Sequence, residues 1–179
     1  MMKKSLTLIS LLLIGLFSCN NDTDEGPLPT ISNYTIEGEA HDHARLSDEG
    51  EEPELEMGGE AHIDAELAGE ALQTVLLDIH WGEGHTHSRL NANGEDEPKW
   101  TEKIEWKFGV GTEVENGLTP EGVFPNNHDF HQHIDVPEGV LEGEYHFVLH
   151  LWDQKGNETQ QNITVHVHGH EHEDGEHAE

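Results

Sequence analysis

Residues 143–169 read GEYHFVLHLWDQKGNETQQNITVHVHG, and their period of two is the strongest constraint on what this chain can fold into. In an extended segment Tyr145, Phe147, Leu149 and Leu151 fall on one face, and His146, Val148, His150 and Trp152 on the other. DQKGN supplies a turn, after which Ile163, Val165 and Val167 line the inner face of a return strand. The same alternation runs through Ala61, Ile63, Ala65 and Leu67, through Val75, Leu77 and Ile79, through Ile104, Trp106 and Phe108, and through Ile134 and Val136. Residues 30–38 add a first strand. Seven such strands, with no convincing helical period beyond the N-terminal leader, predict an all-β chain, an immunoglobulin-like antiparallel β-sandwich over residues 30–168. The connections at 39–59 and 111–127, rich in Gly, Pro and acidic residues, are expected to be loops.

The ends read differently. Lys3 and Lys4 precede an apolar run from Leu6 to Phe17. That run is too short to span a bilayer, which takes about 20 residues, and it fits a secretory signal over residues 1–18. Its end, LFSC, resembles a bacterial lipobox, so Cys19 is expected to be lipidated and to carry the chain on a membrane. Residues 19–29 then read as an acidic tether and 169–179 as a His/acidic tail. Cys19 is the one cysteine, so disulfides, thiolate metal sites and cysteine nucleophiles are excluded.

The net charge is −30, and it becomes more negative once the two leader lysines are removed. Such a surface repels nucleic acid, which is excluded as a partner, and attracts cations. Against this background stand 16 histidines. Most of those in strands occupy outward positions: His62, His80, His133, His146, His150, His166 and His168. Histidines two apart on a strand share a face, roughly 6.5–7 Å apart along the backbone.

In a sandwich the third, sixth and seventh strands share a sheet. His80 ends the third, His146 begins the sixth, and His166 and His168 end the seventh, so all are expected at one edge of the domain. GEGHTH brings His85 and His87 there too. These six form the first expected metal site. A second is expected on the other sheet, where HDFHQHIDVP places His131 and His133 beside a strand carrying His62, Asp64 and Glu60 or Glu66, provided the register lets them meet. His128, three residues earlier, is expected under the preceding loop.

The lipobox, GGEAHIDAEL, LLDIHWGEGHTH, HDFHQHIDVPEG and the GEYHF…DQKGNET hairpin together resemble the His-rich lipoproteins of Bacteroidetes known as domain of unknown function 4625. The resemblance spans most of residues 30–168. It implies the sandwich fold and the cell envelope, on the periplasmic side or the surface of the outer membrane, and no activity. The family pattern often has another histidine where this chain has Glu60, so an all-histidine site is not expected there and an oxygen donor takes its place.

Imidazole with carboxylate and no thiolate suits Zn2+, with Cu2+ and Ni2+ also served by these donors. The expected function is therefore an extracytoplasmic protein that binds a divalent transition metal, buffering it or passing it to an outer-membrane transporter or other envelope protein. The alternative is an adhesive or structural immunoglobulin-like module that binds protein or glycan. A metal-dependent hydrolase using Glu83 or Asp78 as base is a third reading. HExxH, GxSxG and a recognisable triad are all missing, so the chain is expected not to be an enzyme.

Overall fold

The computed structural model describes residues 26–38, 52–82 and 96–169. Its strands are β1 (Thr30–Gly38), β2 (Glu54–Glu56), β3 (Glu60–Ala68), β4 (Leu72–Trp81), β5 (Glu102–Lys107), β6 (Asn127–Asp135), β7 (Gly143–Asp153) and β8 (Glu158–His168). They form two sheets, ordered β1-β3-β6 and β2-β8-β7-β4-β5. No helix occurs among the described residues. The all-β immunoglobulin-like sandwich is thus the fold, with the seven expected strands all in place.

One strand is additional. β2 lies inside the segment expected to be a loop and runs parallel to β8, Leu55 beside Val167. Three residues are too few to display a period, yet Leu55 is fully buried and closes one edge of the core.

The two sheets press their apolar faces together. Ile63 and Leu67 of β3, Leu77 and Ile79 of β4, and Phe147, Leu149 and Leu151 of β7 are all buried. Each such side chain contributes roughly 1.5–3 kcal/mol relative to exposure. The alternation therefore does two things at once: it buries one row and turns the intervening row outward.

Local devices hold the strand ends. Tyr145, near the start of β7, donates its hydroxyl to the Leu141 carbonyl at 2.7 Å and accepts the Trp100 amide at 3.3 Å. This is the tyrosine corner of immunoglobulin-like domains. Gly143 opens β7 at φ 144°, and a Cβ there would come within 2.7 Å of the Trp81 ring. Only glycine lets Trp81 lie so close to the strand and pack edge-on to Tyr145. In β1, Asn33 takes the left-handed conformation (φ 50°) where the register with β3 shifts between Ser32 and Thr35, a bulge that an asparagine tolerates better than most residues. Below that bulge the pairing resumes, with Thr35 opposite Asp64 and Glu37 opposite His62.

Candidate metal centre

β3 and β6 pair antiparallel over nine positions, and that register builds the site. Along the outer face the opposed pairs run Glu60–Asp135, His62–His133, Asp64–His131 and Glu66–Asp129. The inner neighbours Ala61, Ile63, Ala65 and Phe130 are buried, which pins this row to the outside. Two of the four pairs place carboxylates directly opposite each other, an unfavourable arrangement. β1, β3 and β6 contain no lysine or arginine to offset it. The face thus concentrates negative charge around three imidazoles.

The side chains converge further than the register alone requires. His62 and His133 have ring centroids 4.1 Å apart, and His131 and His133 4.7 Å. Glu60 Oε1 lies 2.6 Å from His133 Nδ1 and 3.2 Å from His62 Nε2. His62 Nε2 is shielded from solvent and lacks a well-formed hydrogen bond, its polar neighbour being Glu60 Oε1 at 3.2 Å. On the far side of His133, Nε2 meets His131 Nε2 at 2.8 Å, and His131 Nδ1 meets Asp64 Oδ1 at 2.7 Å. The hydrogen bond from His133 holds the Glu60 carboxyl below the ordinary carboxylate range. Partial desolvation opposes it, and the charges of His133 and His62 reinforce it.

Glu60, His62 and His133 place one ligand atom each within 4.8 Å of one another, the group of three or more metal-ligating side chains found among the described residues. Donors about 2.0–2.1 Å from a tetrahedral zinc lie about 3.3 Å apart. The 3.2 Å spacing of His62 and Glu60 already matches. The 2.6 Å spacing of Glu60 and His133 must open by several tenths of an ångström, which side chains exposed by a third or more allow. Two imidazoles and one carboxylate leave a position for water or another ligand, as in open zinc sites.

The six residues expected at the other edge are placed as follows. His80 and His146 are direct cross-strand partners, ring centroids 5.4 Å apart. His166 lies one step further along, between Glu54 of β2 and Glu144 of β7, and His168 Nδ1 is 3.2 Å from the Gly169 carbonyl. So the strand ends do share one end of the sheet, but two of these imidazoles touch and the other two stand among glutamates. His85, His87 and Glu83 lie outside the described residues, as does Cys19. Asp78 is 3.5 Å from His80 but is held by Lys103 at 2.6 Å. Burial raises its pKa, and Lys103 outweighs that and keeps the carboxyl below its ordinary range.

His128 turns the other way from His131 and His133. It is half-buried, edge-on to Phe108 at 5.0 Å, and burial pushes its pKa down. His150 is taken by Glu158 at 2.8 Å and stacks on Trp152. Glu60, one of two acidic alternatives at the sequence level, is the hub of the cluster. Its signal is the Glu-x-His spacing, which puts residues 60 and 62 on one face of a strand.

Three comparisons bear on this chain. The sequence model of the family described as Domain of unknown function (DUF4625) matches residues 17–168. No curated protein matches. Among solved structures, wild-type OgpA from Akkermansia muciniphila aligns with 80% of this chain at 12% identity and a TM-score of 0.43, and this chain spans 29% of that one. The CARDB domain of a Pyrococcus furiosus protein, solved in complex with di-metal ions, aligns with 80% of this chain and 91% of its own at 11% identity and a TM-score of 0.29.

Proposed function

This chain belongs to the DUF4625 family, and from its own residues we propose that it binds a divalent transition metal ion, zinc foremost, on the outer face of its three-stranded sheet. The observation that carries the reading is the meeting of Glu60, His62 and His133 from two strands far apart in sequence, with the shielded His62 Nε2 left without a well-formed hydrogen bond. Copper(II) and nickel(II) are served by the same donor types. Outward-facing carboxylates such as Asp129 and Asp135 around the site favour a cation of any kind, and the imidazoles select the transition metals over calcium or magnesium.

The role is binding and exchange. The donors are exposed by about a third or more, which suits an ion loaded from and released to solvent or a partner. It does not suit the water-excluded surroundings in which an enzyme stabilises transition-state charge. With lipid on Cys19, as the LFSC motif supports, the protein would hold this ion at the cell envelope, buffering it or handing it to a transporter there.

Equilibrium dialysis of tag-free, full-length protein against zinc tests the reading. Retention of an ion at low micromolar concentration that disappears in His62→Ala/His133→Ala, and persists in His80→Ala/His146→Ala/His166→Ala, is the expected result. No retention by the wild-type protein would overturn it and favour the adhesive-module alternative. Retention lost only with His80, His146 and His166 would move the site to the other sheet.

A further inference from the structure

Four side chains form one continuous hydrogen-bonded row: Asp64 Oδ1 to His131 Nδ1 at 2.7 Å, His131 Nε2 to His133 Nε2 at 2.8 Å, and His133 Nδ1 to Glu60 Oε1 at 2.6 Å. Following the protons along it separates the roles. A carboxylate only accepts, so the hydrogen between His131 and Asp64 sits on Nδ1 of His131. In neutral His131 the Nε2 is then a lone pair, and it accepts Nε2–H from His133. Neutral His133 is left with a lone pair on Nδ1, aimed at the Glu60 carboxylate. Two acceptors 2.6 Å apart are held together only by a cation between them: a proton on Nδ1, which is the hydrogen bond of the ion-free protein, or a metal ion that takes the place of that proton. His62 Nε2, shielded and without a well-formed hydrogen bond, lies 3.2 Å from the same Glu60 oxygen.

We infer that the metal ion sits among Glu60, His62 and Nδ1 of His133, and that Asp64 and His131 are positioning residues that set the tautomer of His133, not ligands. This rests on the metal-binding reading and adds an atom-level assignment to it. With the ion at Nδ1 every donor in the row meets an acceptor and both histidines are neutral. Placing the ion instead between the two Nε2 atoms would leave it two protein donors and would strand His62. Metal-bound histidines generally hand their second nitrogen to a fixed partner, and loss of that partner typically weakens binding 10–100-fold. The outer end of this row is about half exposed, so an effect near the lower limit, about tenfold, is expected.

The test measures zinc affinity by chelator competition and the visible spectrum of the cobalt(II) form, whose bands report donor number, on tag-free full-length protein. Asp64→Asn and His131→Gln should each weaken zinc about tenfold, the double variant no more than either alone, since both break one row. Asp64→Glu should restore most of the affinity. The cobalt spectrum should keep its donor number in all of these, while His62→Ala should change it and lose most of the ion. Wild-type affinity in both Asp64→Asn and His131→Gln would overturn the inference and leave the metal site standing. So would a cobalt spectrum showing a lost donor in His131→Gln, or two ions per chain falling to one in that variant, because His131 would then be a ligand. A wild-type protein that retains no ion overturns both this inference and the reading beneath it.

Discussion

His62 and His133 stand directly opposite each other on neighbouring strands, their ring centroids 4.1 Å apart. A slip of one residue in the β3–β6 pairing would turn one of them into the core and bring Ile63 or Ile134 out. The buried row therefore enforces the imidazole pair. Burial of Ile63, which is fully enclosed, fixes where His62 points.

Zinc should stabilise the fold at pH 7.5 and lose that effect by pH 5. At about 100 times its dissociation constant, an ion that binds only the native state adds about 2.7 kcal/mol. The Glu60 carboxyl lies below its ordinary range, so it stays ionised as pH falls toward 5. Zinc binds only neutral imidazole, so protons compete with the ion as pH falls past the reference histidine value of about 6.5. Thermal unfolding with and without zinc checks this, and an equal shift at both pH values would mean that histidines are not the donors.

Tyr145→Phe should destabilise the domain by about 1–3 kcal/mol, because it leaves the buried Leu141 carbonyl and Trp100 amide without their shared partner. Urea unfolding with an unchanged m-value is the measurement. Zinc affinity should not move, since the corner belongs to the other sheet.

Asp153 ends β7 and is fully buried. Burial raises its pKa, but the side chain and amide of Asn157 and the amides of Lys155 and Gly156 outweigh this and hold the carboxyl below its ordinary range. A depressed folded-state pKa gives stability that is present above the unfolded value, near 3.9, and that is lost as pH falls through the lower folded value. The wild-type protein should thus lose this contribution below about pH 4. Asp153→Asn should cost about 1.5–3 kcal/mol at pH 7 and flatten that acid limb. Parallel acid titrations followed by circular dichroism would show it, and coincident curves would contradict it.

Cys19→Ala should move the protein from the membrane fraction to the soluble fraction. Acyl chains contribute about 0.8 kcal/mol per buried CH2, and the acidic chain has little else to hold an anionic surface. Continued pelleting of the variant with membranes would remove the lipid anchor from the proposal.

The period of two was enough to establish the strands, the buried rows and the outward direction of His62, His133, His80 and His146, because alternation is a property of a strand by itself. Two kinds of fact were not carried by any local segment. β2 forms because Leu55 finds a buried place beside Val167 and Glu56 meets His168, neither of which a three-residue stretch can announce. The partners of each histidine depend on register between strands some 70 residues apart, as the Asp64–His131 contact illustrates. On one sheet that register set His62 against His133 with Glu60 between them. On the other it set His80 against His146 but His166 against Glu144. Register is decided by which apolar side chains interlock across the core. That long-range packing, acting through Ile63, Phe130 and Ile134, selected which outward histidines would meet.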